Sequence, residues 1–387
     1  MIHGLPARFS ELAYDSSNAC GTVAAVLHPG GISRMSDKGF RVALANGLRY
    51  ASVLDFTHLL DAVGASLTVV DAPTSDDEAV VRLAGYDGII WPHGPYRLRP
   101  FDRLPDLQGV IAPTVGVDHV DLEAATAAGV VVGNLPAFAT EQTADAAMFL
   151  IIGSVRRVPQ MWAQWRQGNR AIPAWEAQIR PIGDMRGATL ALIGFGRIAR
   201  AVSVRAQSFG MRCIAYGPTV SPWEAASLGV ELVDLDTAFT TGDVVSVHLP
   251  LNAGTHHFVN GDLLARMKSS AVLINVSRGA VVDEAALLEA LRSGCIAGAG
   301  LDVFEQEPVT PDNPLVGLPN VLWLPHAGGS SEEGIRRVGE GSAEQMAWLA
   351  QGYWPRHVAN LGVTPRVNLR RRGYPERRAV DDCPTAK

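Results

Sequence analysis

Residues 188–204, ATLALIGFGRIARAVSV, constrain the fold more than any other stretch of the chain. An apolar run over 189–193 ends at Gly194, and an apolar-spaced segment starts at Arg197 and carries Ile198, Ala201, Val202 and Val204. That pattern is strand, tight turn, helix. Gly194 and Gly196 let the turn's backbone approach a pyrophosphate closely, and the start of the following helix offers unpaired N–H groups and a positive dipole end. Ala199 takes the third small position, where helix and strand must pack closely. A glycine-rich turn that binds nothing would share these residues. The flanking strand and helix favour a dinucleotide.

At 387 residues the chain has room for two domains of ordinary size. Apolar residues make up 47% and charged residues 19%, so large cores can be buried. A net charge of −6 argues against general nucleic-acid binding, which needs a basic face, and points to small-molecule partners. The opening MIHGLPARFSELAYDSS has no cationic start leading into an apolar run, so no secretory signal is expected. No stretch reaches the roughly 18 continuous apolar residues of a membrane span. The longest candidate, 144–155, is interrupted at Asp145, Gly153 and Ser154. Cys20, Cys213, Cys295 and Cys383 show no paired spacing. That fits the reduced thiols of a cytoplasmic protein, with neither a disulfide framework nor a metal site.

In chain order, a strand is expected at 22–27, followed by a Gly-rich segment over 29–50 that no pattern assigns. Helices over 52–63, 76–84 and 122–128 then alternate with strands over 67–70, 88–91, 109–112 and 130–132. Alternation of this kind implies a parallel sheet, with ligands beyond the carboxyl ends of its strands. The loops Pro92-His93-Gly94-Pro95-Tyr96 and Pro113-Thr114-Val115-Gly116-Val117-Asp118 are therefore binding candidates. His93 by itself also reads as an ordinary loop histidine. Thr140 is placed to cap a long apolar helix, TEQTADAAMFLIIGSVRR, that suits either a core or a subunit interface. After a Trp- and Pro-containing stretch over 158–187, the glycine turn opens a second doubly wound domain. Its later strands are expected at 211–216, 244–248, 272–275, 297–301 and 321–324, with helices at 261–267 and 284–293. A last helix over 332–350 suggests a return to the first domain. The tail holds Arg366, Arg370, Arg371, Arg372, Arg377 and Arg378 and reads as a solvated, disordered terminus.

Three segments after the glycine turn carry reactive groups at strand ends: NVSRGAVVDE, LDVFEQEP and LPHAGGS. Arg278 can grip a carboxylate in two-point fashion. Glu307 precedes Pro308, and His326 follows Pro325 past a strand end. A carboxylate beside a histidine favours the imidazolium. Singly each has a dull reading. Together, downstream of a cofactor turn and at the edge where ligands bind, they read as a catalytic set.

GFGRIA, INVSRGAVVDEAAL, LDVFEQEP and PHAGG stand in the order and spacing of one family. From about residue 22 to 360 the chain resembles the D-isomer-specific 2-hydroxyacid dehydrogenases. The resemblance implies two doubly wound parallel-sheet domains: a flavodoxin-like substrate domain over 1–135 and 327–360, and an inserted Rossmann domain over 136–326. Residues 361–387 are left as the Arg-rich tail. It implies substrate binding and activation by Arg278, acid–base catalysis by His326, and Glu307 as partner of the histidine. It implies cofactor contacts at Thr143, Arg197, Ile198, Pro250, Val276, Asp302 and Gly328, beside Gly194 and Gly196. It further implies that the loop at Val115 and Gly116 binds substrate through backbone N–H groups, and that the helix after Thr140 helps form a homodimer. The reaction expected is hydride transfer between a nicotinamide cofactor and a small 2-oxo or 2-hydroxy acid of D configuration.

Two departures stand out. Gly217 lies 23 positions past Gly194, where an acid for the adenosine ribose belongs. Neither that carboxylate nor a following arginine is there, so NAD is expected and NADP is left open. Thr114 stands where many members have glycine, which narrows the substrate loop. The resemblance also admits an NAD(H)-sensing scaffold like the C-terminal binding proteins, or a dehydrogenase of the phosphoglycerate or phosphite type. Glu307 speaks against formate oxidation, because that branch carries glutamine.

Overall fold

The computed structural model describes residues 39–45, 47–92, 94, 96–169, 179 and 181–372. The expected strand at 22–27 and His93 lie outside them. The first described strand is instead Phe40–Ala45 (β1), within the Gly-rich segment that no pattern assigned. Only Arg41 of its FRVALA is exposed, because a strand central to a parallel sheet is covered on both faces and reads as an almost unbroken apolar run.

β1 lies between Ala65–Val70 (β2) and Gly88–Ile90 (β3), and Gly109–Ala112 (β4) and Val131–Asn134 (β5) complete a sheet of order β2-β1-β3-β4-β5. Every pairing is parallel, and the order is the flavodoxin-like one. The second sheet begins at Thr189–Ile193 (β6), followed by Arg212–Tyr216 (β7), Glu231–Leu232 (β8), Val244–Val247 (β9), Val272–Asn275 (β10), Gly298–Leu301 (β11) and Val321–Trp323 (β12). Its order β8-β7-β6-β9-β10-β11-β12 is the Rossmann order with one strand added, again wholly parallel. The expected fold class of two doubly wound parallel sheets is borne out. The strand order reverses between β6 and β9, where Ile193 pairs with Val247, and a crevice opens at the carboxyl ends there.

Helices differ in detail from the expectations. Where one helix was expected over 52–63, a 3-10 segment Gly47–Phe56 precedes a short α-helix Thr57–Asp61. Thr140 does not cap the long helix Thr140–Val155; it is the first helical residue, Ala139 is the N-cap, and no side chain closes that end. Nine residues of this helix are buried, with Leu150 and Ile151 packed among β6, β10 and β12 residues. The helix Glu332–Ala350 is capped by Ser331, whose hydroxyl accepts from the Gly334 N–H at 2.9 Å, a contact worth about 1 kcal/mol. It packs against β3, β4 and the 47–56 segment, sending Met346 and Leu349 into the first sheet's core. Gln345 ties it down, donating to the Asn134 carbonyl at 3.0 Å and accepting from the His357 N–H at 3.1 Å.

The tail is ordered further than its composition suggested. Val363 and Leu369 are buried in the first sheet's core, and Arg366 donates to the carbonyls of Phe101, Leu104, Leu107 and Ala128. Burial holds the Arg366 guanidinium below its ordinary pKa. Two apolar anchors and a side chain that satisfies four carbonyls outweigh the cost of ordering this segment. Residues 373–387 lie outside the described part. Among the described residues no helix is long and apolar enough to cross a membrane.

Candidate active site

A cleft of about 1390 Å³ runs between the carboxyl ends of the two sheets. At its Rossmann end β6 stops at Ile193, and Gly194 turns with φ +89°, donating its N–H to the Tyr216 carbonyl at 2.8 Å. A Cβ on Gly194 would stand 2.9 Å from the His248 carbonyl oxygen. Glycine is thus required twice, by its φ and by the strand passing beside it. Gly196 has open space where a Cβ would project and is the N-cap of the twelve-residue helix Arg197–Ser208. This open cradle under unpaired helical N–H groups fits a pyrophosphate. Arg197, Ile198, Pro250, Val276 and Thr143 all line the same cleft. Gly217, at the end of β7, does not line it; it packs against Val220 and Phe195.

Arg278 follows β10 and enters the cleft from below. Its backbone carbonyl accepts from Asn275 Nδ2 at 2.9 Å, and Asn275 Oδ1 accepts from the N–H and hydroxyl of Ser277 at 3.0 and 2.8 Å. Asn275 thereby shapes the turn that aims the guanidinium. Arg278 Nε donates to Asp118 Oδ1 at 3.0 Å, a contact between the two sheets. Burial is the largest single influence on the Asp118 carboxyl and pushes it up, but the charge and hydrogen bond of Arg278, a backbone hydrogen bond and the charge of His119 together leave the net shift downward. Gly116 lies so close to Arg278 Nη2 that any Cβ would collide with it. The loop holding Val115 and Gly116 is pinned by its carbonyls: Asn134 Nδ2 donates to Val115 at 2.7 Å, and the Thr114 hydroxyl donates to Gly116 at 2.6 Å. Thr114 therefore stiffens this loop.

Opposite, His326 Nδ1 stands 2.6 Å from Glu307 Oε2, and Glu307 Oε1 accepts from the Phe304 N–H at 3.1 Å. His326 has φ +55°, uncommon for a non-glycine residue. Asp302 holds that turn: its carbonyl accepts from the His326 N–H at 2.8 Å, and its carboxylate from the N–H groups of Ala327 and Gly328 at 2.8 and 3.0 Å. Burial pushes the Asp302 carboxyl above its ordinary pKa, against those N–H donors and the nearby His326. Asp302 lines the cleft, while Gly328 and Glu307 stand behind its wall. His257, Glu305 and Glu284 clasp the loops together from outside. Glu305 Oε1 is 2.9 Å from His257 Nε2 and accepts the Glu284 N–H at 3.0 Å.

Arg278, His326, Val115 and Gly116 thus meet in one cleft with the cofactor cradle. Gly94 does not join them; it lies in a separate small hollow with Trp91 and Tyr96. By sequence Asp118 falls in a binding-candidate loop with Val115 and Gly116 but has no role of its own there. Its pairing joins residues 160 positions apart and leaves no local pattern.

The NAD-binding domain profile of the D-isomer-specific 2-hydroxyacid dehydrogenases matches residues 148–328. The chain is 39% identical over 305 residues to a glyoxylate reductase of Korarchaeum cryptofilum, covering 79% of this chain and 91% of that relative. It is also 39% identical over 256 residues to a D-3-phosphoglycerate dehydrogenase of Methanocaldococcus jannaschii, covering 66% of this chain. There the match spans about half the relative, 48% of its length. The crystal structure of a D-lactate dehydrogenase from Aquifex aeolicus, complexed with NAD and lactic acid, superposes with a TM-score of 0.70 at 25% identity, over 80% of this chain and 96% of that one. Two sheets of these orders, a glycine turn at the switch point and a relative 39% identical over 91% of its length lead to one assignment: the chain belongs to the D-isomer-specific 2-hydroxyacid dehydrogenase family.

Proposed function

We propose that the protein reduces small 2-oxo acids to D-2-hydroxy acids, and oxidises them in reverse, with Arg278, His326 and Glu307 as the working groups. The observation that carries this is the 2.6 Å pairing of Glu307, behind the wall, with His326, which lines the same cleft as Arg278. Arg278 grips the substrate carboxylate and polarises the C2 carbonyl oxygen. The pinned peptides at Val115 and Gly116 fix the direction of the N–H groups that complete the carboxylate site. Glu307 holds Nδ1 of the imidazole, so Nε2 is the atom that gives a proton to the C2 oxygen as negative charge develops there. A bound dihydronicotinamide supplies the hydride that C2 accepts. In the oxidation direction His326 takes the hydroxyl proton back.

Gly196, Arg197, Ile198, Thr143, Pro250, Val276 and Asp302 form the wall assigned to the cofactor, with Gly194 shaping the turn behind Gly196, Gly217 near the adenosine ribose and Gly328 holding Asp302. The segment 216–221, Tyr-Gly-Pro-Thr-Val-Ser, offers no carboxylate against a 2′-phosphate. The nearby Arg200 is engaged by Glu224 and by the Phe195 carbonyl. Discrimination between NADH and NADPH is therefore modest. Their kcat/KM values on one reducible 2-oxo acid differ by less than about a hundredfold, some 2.7 kcal/mol; a larger preference for NADH contradicts this.

Homodimerisation uses the face of Thr140–Val155 and Val158–Arg166, where Phe149, Trp162 and Trp165 are 50%, 54% and 62% exposed. Sedimentation equilibrium at the monomer mass would contradict it. A cytoplasmic site of action accords with the unpaired Cys213 and Cys295.

A further inference from the structure

The lining of the cleft that holds Arg278 and His326 also includes residues that none of these roles uses. Among them are Ile335 and Val338, one helical turn apart on Glu332–Ala350. The i,i+3 spacing puts Ile335 and Val338 on one helix face. That face is fixed in place, because Gly339 lies against the Ser52 carbonyl too closely for any Cβ. Ile335 is 49% exposed, so a large aliphatic side chain meets water inside a cleft. An apolar ligand group that covers it is stabilised by the water it displaces.

The charges among the remaining lining residues point the same way. Arg97 is one of them but pairs with Asp121 at 3.4 Å, and Glu123 adds a second carboxylate. Arg278 is engaged by Asp118 and, in the reading above, by the substrate carboxylate. Among the described lining residues that none of these roles uses, the charge balance is therefore unfavourable to a second anionic group, such as a phosphate.

We infer that the substrate is a 2-oxo acid with an apolar, branched substituent beyond C2, and that Ile335, backed by Val338, is the residue that selects it. This rests on the hydride-transfer reading and goes further, since that reading is satisfied by any 2-oxo acid. The test is a panel of glyoxylate, hydroxypyruvate, 3-phosphohydroxypyruvate and 4-methyl-2-oxopentanoate, assayed with the full chain and the better reduced coenzyme. kcat/KM is highest for 4-methyl-2-oxopentanoate, by about tenfold or more over glyoxylate, as expected for several methylene groups read by an apolar pocket. Ile335→Asp, a change at a half-exposed position, lowers the ratio of these two kcat/KM values by about tenfold, whereas Ile335→Val keeps most of it. A preference for glyoxylate, hydroxypyruvate or the phosphorylated acid overturns the inference and leaves the hydride-transfer reading standing. So does an Ile335→Asp variant that slows all acids equally. Turnover of none of the four overturns both.

Discussion

His326→Ala lowers kcat for 2-oxo acid reduction by about 10²–10⁴-fold, the usual contribution of a positioned acid–base group, while KM changes little. Proton donation to the C2 oxygen matters only as charge builds there, so its loss falls on the transition state and not on binding. Glu307 holds the imidazole at Nδ1, while the Asp302 carbonyl holds the main chain through the His326 N–H, so the variant loses a reactive group without releasing the turn that carries it. Single-turnover measurements with excess enzyme read the chemical step directly. Near-normal turnover would remove His326 from the mechanism.

Arg278→Ala raises KM and lowers kcat together, reducing kcat/KM by about 10²–10⁴-fold, from charge-assisted hydrogen bonds worth about 1.5–3 kcal/mol each. The effect has a second source beyond the lost grip. Burial by itself pushes the Asp118 carboxyl up, and the Arg278 charge is the largest of the contributions that together reverse this. Without the guanidinium, Asp118 loses its largest compensating charge and stands as a like charge near the incoming substrate carboxylate. Arg278→Lys restores the charge but not the planar fork that serves Asp118 and the substrate together, and recovers only part of the loss. Full recovery by lysine would mean that charge alone suffices.

The alternation of strands and helices was readable because each parallel strand is an apolar run closed by a turn. β1 escaped because FRVALA follows a Gly-rich segment with mixed charge, and nothing local marks a central strand there. The cap expected of Thr140 and the disorder expected of residues 361–372 failed for tertiary reasons. The chain enters the Thr140–Val155 helix one residue earlier, and Arg366 finds its carbonyl partners more than 230 positions back in the chain. Arg278, Glu307 and His326 were legible because each sits beside a Gly or Pro at a strand end, where ligands bind in such sheets. Asp118 and Ile335 were not, since a partner on the other sheet and exposure within a cleft exist only after folding.

The central claim is a hydride delivered to one face of C2 while His326 supplies the proton. It is tested most directly by incubating the protein with a 2-oxo acid and a reduced nicotinamide cofactor carrying deuterium at the transferring C4 position, then resolving the product by chiral chromatography and mass spectrometry. The D-2-hydroxy acid with deuterium at C2 is the predicted product. An L-2-hydroxy acid, or a product without the label at C2, would contradict it.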